Sequence, residues 1–105
     1  MNRLELLKAA ADAVASRGVS YGKPETNFQT IAAYWSVLFG RKIAPHEVAM
    51  ALILMKVARA GYSPEHVDHC TDIAGYAACM AEIVSAGGIT AAPRAITDPR
   101  NEDGA

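Results

Sequence analysis

A chain of 105 residues has the length of one small domain. With 51% hydrophobic residues, 20% charged residues and a net charge of −1, it lacks the basic excess of a nucleic-acid binder and the acidity of a DNA mimic. The most apolar stretch, VAMALILM, is too short to span a bilayer, and the amphipathic start MNRLELLKAA has no signal-peptide apolar run, so a cytoplasmic protein with no membrane partner is expected.

From Arg3 to about Arg17 the chain reads as a helix, with Leu4, Leu7, Ala11 and Val14 as its apolar stripe. Gly18, Gly22 and Pro24 are breakers, so RGVSYGKPETN reads as a loop. A second helix is expected from about Thr26 to Phe39. Phe28, Ile31, Trp35 and Leu38 form its stripe, Thr26 or Asn27 caps its start, and Gly40 caps its end.

The third helix, about Pro45 to Ala60, begins with a proline suited to a first turn and with Glu47 at the positive end of the dipole. It is apolar nearly all round, the mark of a central helix or of one buried between subunits; a homodimer is expected on this ground and because a short chain buries a limited core. Gly61 should end it. Ser63 as N-cap and Pro64 at the first position would then open a fourth helix that runs to about Ser85 and stops at AGG. No alternating strand pattern occurs. The expectation is an all-α bundle of about four helices over residues 1–92, with an irregular tail at 93–105.

Chemistry is concentrated on the last two helices. Asp68 and Asp72 are four apart and share a face, where they can hold a hard cation such as Mg2+ or form a solvated acidic face near a helix start. Asp72 lies among Cys70, Ile73 and Ala74, and a partly buried carboxylate needs a partner. Lys56 and Arg59 interrupt the most apolar helix three residues apart, and serve either as ion-pair partners of those acids or as phosphate ligands. In the loop after the first helix, Lys23 beside a helix start suggests an anion site, and Tyr21 and Asn27 are candidates to shape a pocket with Tyr76. Gly75, inside a helix, marks a close approach of another helix or of a ligand.

His66 and His69 are spaced to bind a transition metal, but no third nitrogen or sulfur ligand is indicated. His46 reads as exposed. Cys70 and Cys79 fall on opposite sides of one helix, too far apart for a disulfide, and read as buried small hydrophobes.

The succession YGKPETNFQTIAAYWSVLFG, ALILMKVARA and DHCTDIAGYAA, from Tyr21 to about Ala81, resembles a family of small phage and prophage proteins of unknown function. The shared pattern is YG-x-x-x-x-N-F, I-A-x-x-W, K-x-x-R and D-x-x-x-D-x-x-G-Y. More distantly it is similar to MazG-like all-α nucleotide pyrophosphohydrolases and to the phage nucleotide-modification-associated domain. Those families imply an oligomeric helical bundle whose acids hold Mg2+ against a phosphate chain. Asp68 and Asp72 would stand for the later acid pair, at spacing four rather than three, while the E-E-x-x-E motif of the MazG-like enzymes does not occur here. The resemblance thus implies a phage-type domain that binds a nucleotide or other phosphate ligand, with Mg2+-dependent pyrophosphohydrolysis as the enzymatic form. The alternative is a non-enzymatic counter-defence protein that binds a host protein or sequesters a signalling nucleotide.

Overall fold

The computed structural model describes residues 1–87, apart from the side chains of Tyr21 and Glu25. It consists of four α-helices, α1 (Arg3–Tyr21), α2 (Pro24–Phe39), α3 (Pro45–Tyr62) and α4 (Asp68–Ser85), and no strand occurs among the described residues. The all-α bundle is as expected; the tail at 93–105 lies outside the described residues.

Helix ends differ from the sequence-based expectation at Gly18 and Gly61. Helix α1 runs straight through Gly18, which is exposed and costs only about 1 kcal/mol relative to alanine. It stops at Gly22, whose φ of +81° reverses the chain. Helix α2 therefore starts earlier, at Pro24. Its first turn closes on the Lys23 carbonyl, to which the N–H groups of Thr26 and Asn27 donate, so neither of those residues is the cap. Helix α3 likewise passes Gly61 and ends at Tyr62. The Ser63 N–H donates to the Arg59 carbonyl at 2.9 Å, which makes Ser63 the C-cap of α3 and not the N-cap of α4. Between the two helices the His66 N–H bonds to the Ser63 carbonyl and the His69 N–H to the His66 carbonyl, three-residue closures that wind the chain too tightly for an α-helix until Asp68. Gly40, in the left-handed region at φ +68°, ends α2 as expected.

Side chains fix the entry to two helices. At α1 the Glu5 N–H donates to Asn2 Oδ1 and the Asn2 N–H to Glu5 Oε1, a reciprocal cap. Before α3, Ser36 accepts the Ile43 N–H at 2.9 Å and donates to the Ala32 carbonyl at 2.7 Å, which clips the connecting loop onto α2. The Ala44 N–H then donates to Glu47 Oε1, satisfying one free group at the start of α3.

The core joins Phe28 and Ala32 of α2, Val48 and Ala49 of α3, and Cys79 and Ile83 of α4; Val14, Ile31, Trp35, Leu52, Tyr76 and Met80 pack around it. Helix α4 touches all three others, and its interface with α3 is the most extensive. The expected stripe of α1 is rotated, while that of α2 holds at Phe28, Ile31 and Trp35 and misses only at Leu38. Helix α1 buries Ala10 and packs Val14 inward but leaves Leu4, Leu7 and Ala11 exposed, and α2 leaves Leu38 exposed. Each helix here has more apolar residues than one face can hold, so spacing alone does not select the face that is buried. Cys79 is buried as expected, whereas Cys70 is exposed because it lies on the side of α4 away from the core. His46 is half-buried rather than exposed, with its Nδ1 shielded from solvent.

Gly75 is buried under α1, as its place in the sequence suggests. A methyl group there would meet Val14 Cγ2 at 3.6 Å, an ordinary contact, so the crossing is close without requiring glycine. Gly75→Ala is expected to stabilise the fold by about 0.5–1 kcal/mol through lower unfolded-state entropy. Urea unfolding measures this, and a destabilised variant would show that the helices cross more tightly than this distance implies.

Candidate functional site

Lys56 and Asp72 meet across the α3–α4 interface. Lys56 Nζ lies 2.8 Å from Asp72 Oδ2, with the lysine side chain only 14% exposed and the aspartate 38%. The lysine stem lies in the interface while its charged end reaches the carboxylate at the rim. Because α3 and α4 run back to back from a short corner, the residue one turn beyond Lys56 faces the residue one turn before Asp72. Those residues are Arg59 and Asp68, and both line a cleft of about 580 Å3 at the corner. Ala58, Tyr62, Ser63, His66 and His69 complete its wall. Thus Lys56, Arg59, Asp68 and Asp72 do gather on one seam, with the inner pair bonded and the outer pair open to the cleft.

Arg59 forms no ion pair with any carboxylate among the described residues. The two histidines stand edge to face, ring centroids 6.1 Å apart, and His66 Nε2 lies 3.6 Å from Glu65 Oε1. Reading residues singly missed Tyr62 and Ser63 as cleft residues. The signal was present in the spacing of Tyr62, three after Arg59, but the expected helix end at Gly61 hid it.

Asn27 and Tyr76 are elsewhere. They line a narrow cleft of about 30 Å3 between α1, α2 and α4, together with Arg17, Gly22 and Cys79. The Arg17 guanidinium sits over the Tyr76 ring at 5.8 Å, a cation–π contact that ties the end of α1 to α4. Asp68, Asp72 and Tyr76 follow one another at four-residue spacing along α4, so Asp72 separates the two clefts. The single pocket expected from Lys56, Arg59, Asn27 and Tyr76 is therefore divided in two. The side chain of Tyr21, the remaining candidate, lies outside those described.

Burial raises the Cys79 thiol above its ordinary value, the Glu82 carboxylate adds to the effect, and Arg17 opposes it. The thiolate is thus disfavoured in the folded protein, and this contribution to stability is present at neutral pH and lost as alkaline pH ionises the thiol. No helix among the described residues is long and apolar enough to cross a membrane.

Comparison with known proteins gives this arrangement relatives but no chemistry. The family model described as Domain of unknown function (DUF6378) matches residues 5–84. The Gene 55 protein of Mycobacterium phage D29 is 42% identical over 67 residues, which is 64% of this chain and 44% of that protein. The Gene 55 protein of Mycobacterium phage L5 is 33% identical over 79 residues, 73% of this chain and 51% of that protein. The chain spans about half the length of the curated relatives it matches. No solved structure matches.

Two outcomes follow from the geometry. Asp72→Asn strands a mostly buried ammonium and is expected to cost about 2–3 kcal/mol in urea unfolding, with Lys56→Met in the same chain recovering most of the loss. Equal losses in the single and double variants would mean that the pair is not coupled. In the folded protein, a thiol-alkylating reagent should label Cys70 at once and Cys79 only on unfolding; equal labelling rates would contradict the burial of Cys79.

Proposed function

Since the chain belongs to the family described as Domain of unknown function (DUF6378), whose description assigns no activity, its own side chains must carry the functional reading, and we propose that it binds a small phosphate-bearing ligand, a nucleotide foremost, in the cleft between α3 and α4. The supporting observation is Arg59: a guanidinium on a cleft wall that forms no ion pair among the described residues, not even with Asp68 of the same cleft, while the neighbouring Lys56 is already neutralised by Asp72. Its planar fork of donors suits a phosphate oxygen pair. The Ser63 hydroxyl and the His66 and His69 rings line the same wall and add donors, and Tyr62 offers a flat face for a base.

The Mg2+ suggested by the sequence would fall to Asp68 and Asp72. Asp72 already serves Lys56, and among the described residues no group of three or more His, Cys, Asp or Glu side chains is placed to hold a metal. With Asp72 committed to Lys56, Asp68 is the one carboxylate of the pair left to a cation, so the reading draws on no metal-dependent step. With the E-E-x-x-E motif of MazG-like enzymes also absent, binding is favoured over pyrophosphohydrolysis. Tyr76 and Asn27 take no part in this cleft, and Arg17 already covers the tyrosine ring. The second reading, an interaction protein that engages a host protein, draws on the apolar surface left exposed on α2 and α3.

Thermal-shift assays with inorganic phosphate and a panel of nucleoside triphosphates, each with and without Mg2+, test the proposal. The expected result is stabilisation by at least one of these ligands and a roughly tenfold or greater loss of affinity in Arg59→Ala, the effect of one lost charge-assisted contact. Pyrophosphate release measured in parallel should be nil. A protein that no phosphate ligand stabilises, or an Arg59→Ala variant that binds as well as the parent, would overturn the reading.

A further inference from the structure

Helix α3 carries no charge between Glu47 and Lys56, yet much of that stretch faces outward. Trp35 and Phe39 of α2 line a groove of about 550 Å3 with Ala51 of α3. From Ala51 the exposed surface continues at helical spacing through Met55 and Ala58 to Tyr62, with Leu54 beside it and Leu38 on the facing helix. Leu38 is 74% exposed, Leu54 66% and Tyr62 91%. A solvated helix does not present such residues in a row.

We infer that this face is the contact surface for a second copy of the chain. Leu38, Phe39, Leu54, Met55 and Tyr62 together expose on the order of 700 Å2, beyond the roughly 300–600 Å2 patch of a typical monomer and close to one side of a standard-size interface. Its composition favours a like partner. Homodimer interfaces are the more apolar class, whereas transient partners meet surfaces about as polar as the rest of a protein. The charges bordering the groove are also self-complementary. Arg41 and Glu47 line it together, 4.0 Å apart, so a copy related by a twofold axis brings an opposite charge to each. The core supplies the motive: buried hydrophobic residues are few and mostly small, and covering this face adds the apolar burial that the chain lacks alone.

The stripe has a second consequence. Ala58 and Tyr62 belong to it and also to the wall of the Arg59 cleft, so the second copy borders that cleft. Only this bordering of the cleft rests on the ligand reading above; the dimer does not.

Sedimentation equilibrium of the full chain is the test. A dimer is expected, and Leu54→Lys and Leu38→Lys should each weaken it at least tenfold while leaving the helical circular dichroism unchanged, because both positions are exposed. Val19→Lys on α1, equally exposed but off this face, should leave the dimer intact. A monomeric mass at every concentration would overturn the inference and leave the face to a different protein. A dimer indifferent to both lysine variants would overturn it by placing the contact elsewhere. Inorganic phosphate binding, measured on parent and monomeric variant, separates the two readings: a retained thermal shift with lost dimerisation in the variant shows each standing alone, and a parent that dimerises but binds no phosphate supports the dimer only.

Discussion

The ammonium group of Lys56 is drawn largely out of water between α3 and α4, and the Asp72 carboxylate 2.8 Å away makes that position tolerable. Desolvating a charge is costly, and a bonded counter-charge at the rim offsets the cost without placing both ions in the dry core. The arrangement also fixes register. Sliding α3 past α4 by one turn would break this pair and leave one of its two charges without a bonded partner. The largest interface of the bundle is thereby set to one alignment, and the corner residues on either side of the pair inherit their places from it.

That alignment accounts for the split among the polar residues of the seam. The inner lysine and aspartate satisfy each other and serve the fold. The outer arginine, held one turn further out by the same two helices, meets solvent and the cleft. Position along the seam, more than residue type, separates the structural cation from the one available to a ligand. The second acid behaves in the same way: Asp68 is exposed at the helix start, where its charge is favourable to the dipole, and it opens onto the cleft.

Much of this was legible in the sequence and the rest was not, for identifiable reasons. Four helices follow from apolar periodicity, and the pairing of Asp72 with a cation follows from an acid set among apolar neighbours. Helix ends at Gly18 and Gly61 failed because an exposed glycine weakens a helix without stopping it; the glycines that do close a helix, Gly22 and Gly40, stand at positive φ. The stripe on α1, and Leu38 at the end of the stripe on α2, failed because both helices are apolar on more than one side, and the neighbours that decide between sides are distant in sequence. Asn27 and Tyr76 fall apart from Lys56 because their place depends on how α1 and α2 lie against α4, as the Arg17 contact over Tyr76 shows, and that packing is not written in local spacing.

Helix α1 stands apart from this scheme. It lies against α4 and marginally against α2, it does not reach α3, and none of the six residues of the buried cluster belongs to it. Its attachment includes the buried Ala10, Val14 close to Gly75 of α4, and the Arg17 guanidinium on the Tyr76 ring. The molecule is therefore two-tiered: a three-helix unit that holds its own core, and a fourth helix laid over it with a separate and smaller free energy of attachment. Release of that helix would bare the backbone of Gly75 and open the narrow cleft beside Tyr76 while leaving the seam between α3 and α4 intact.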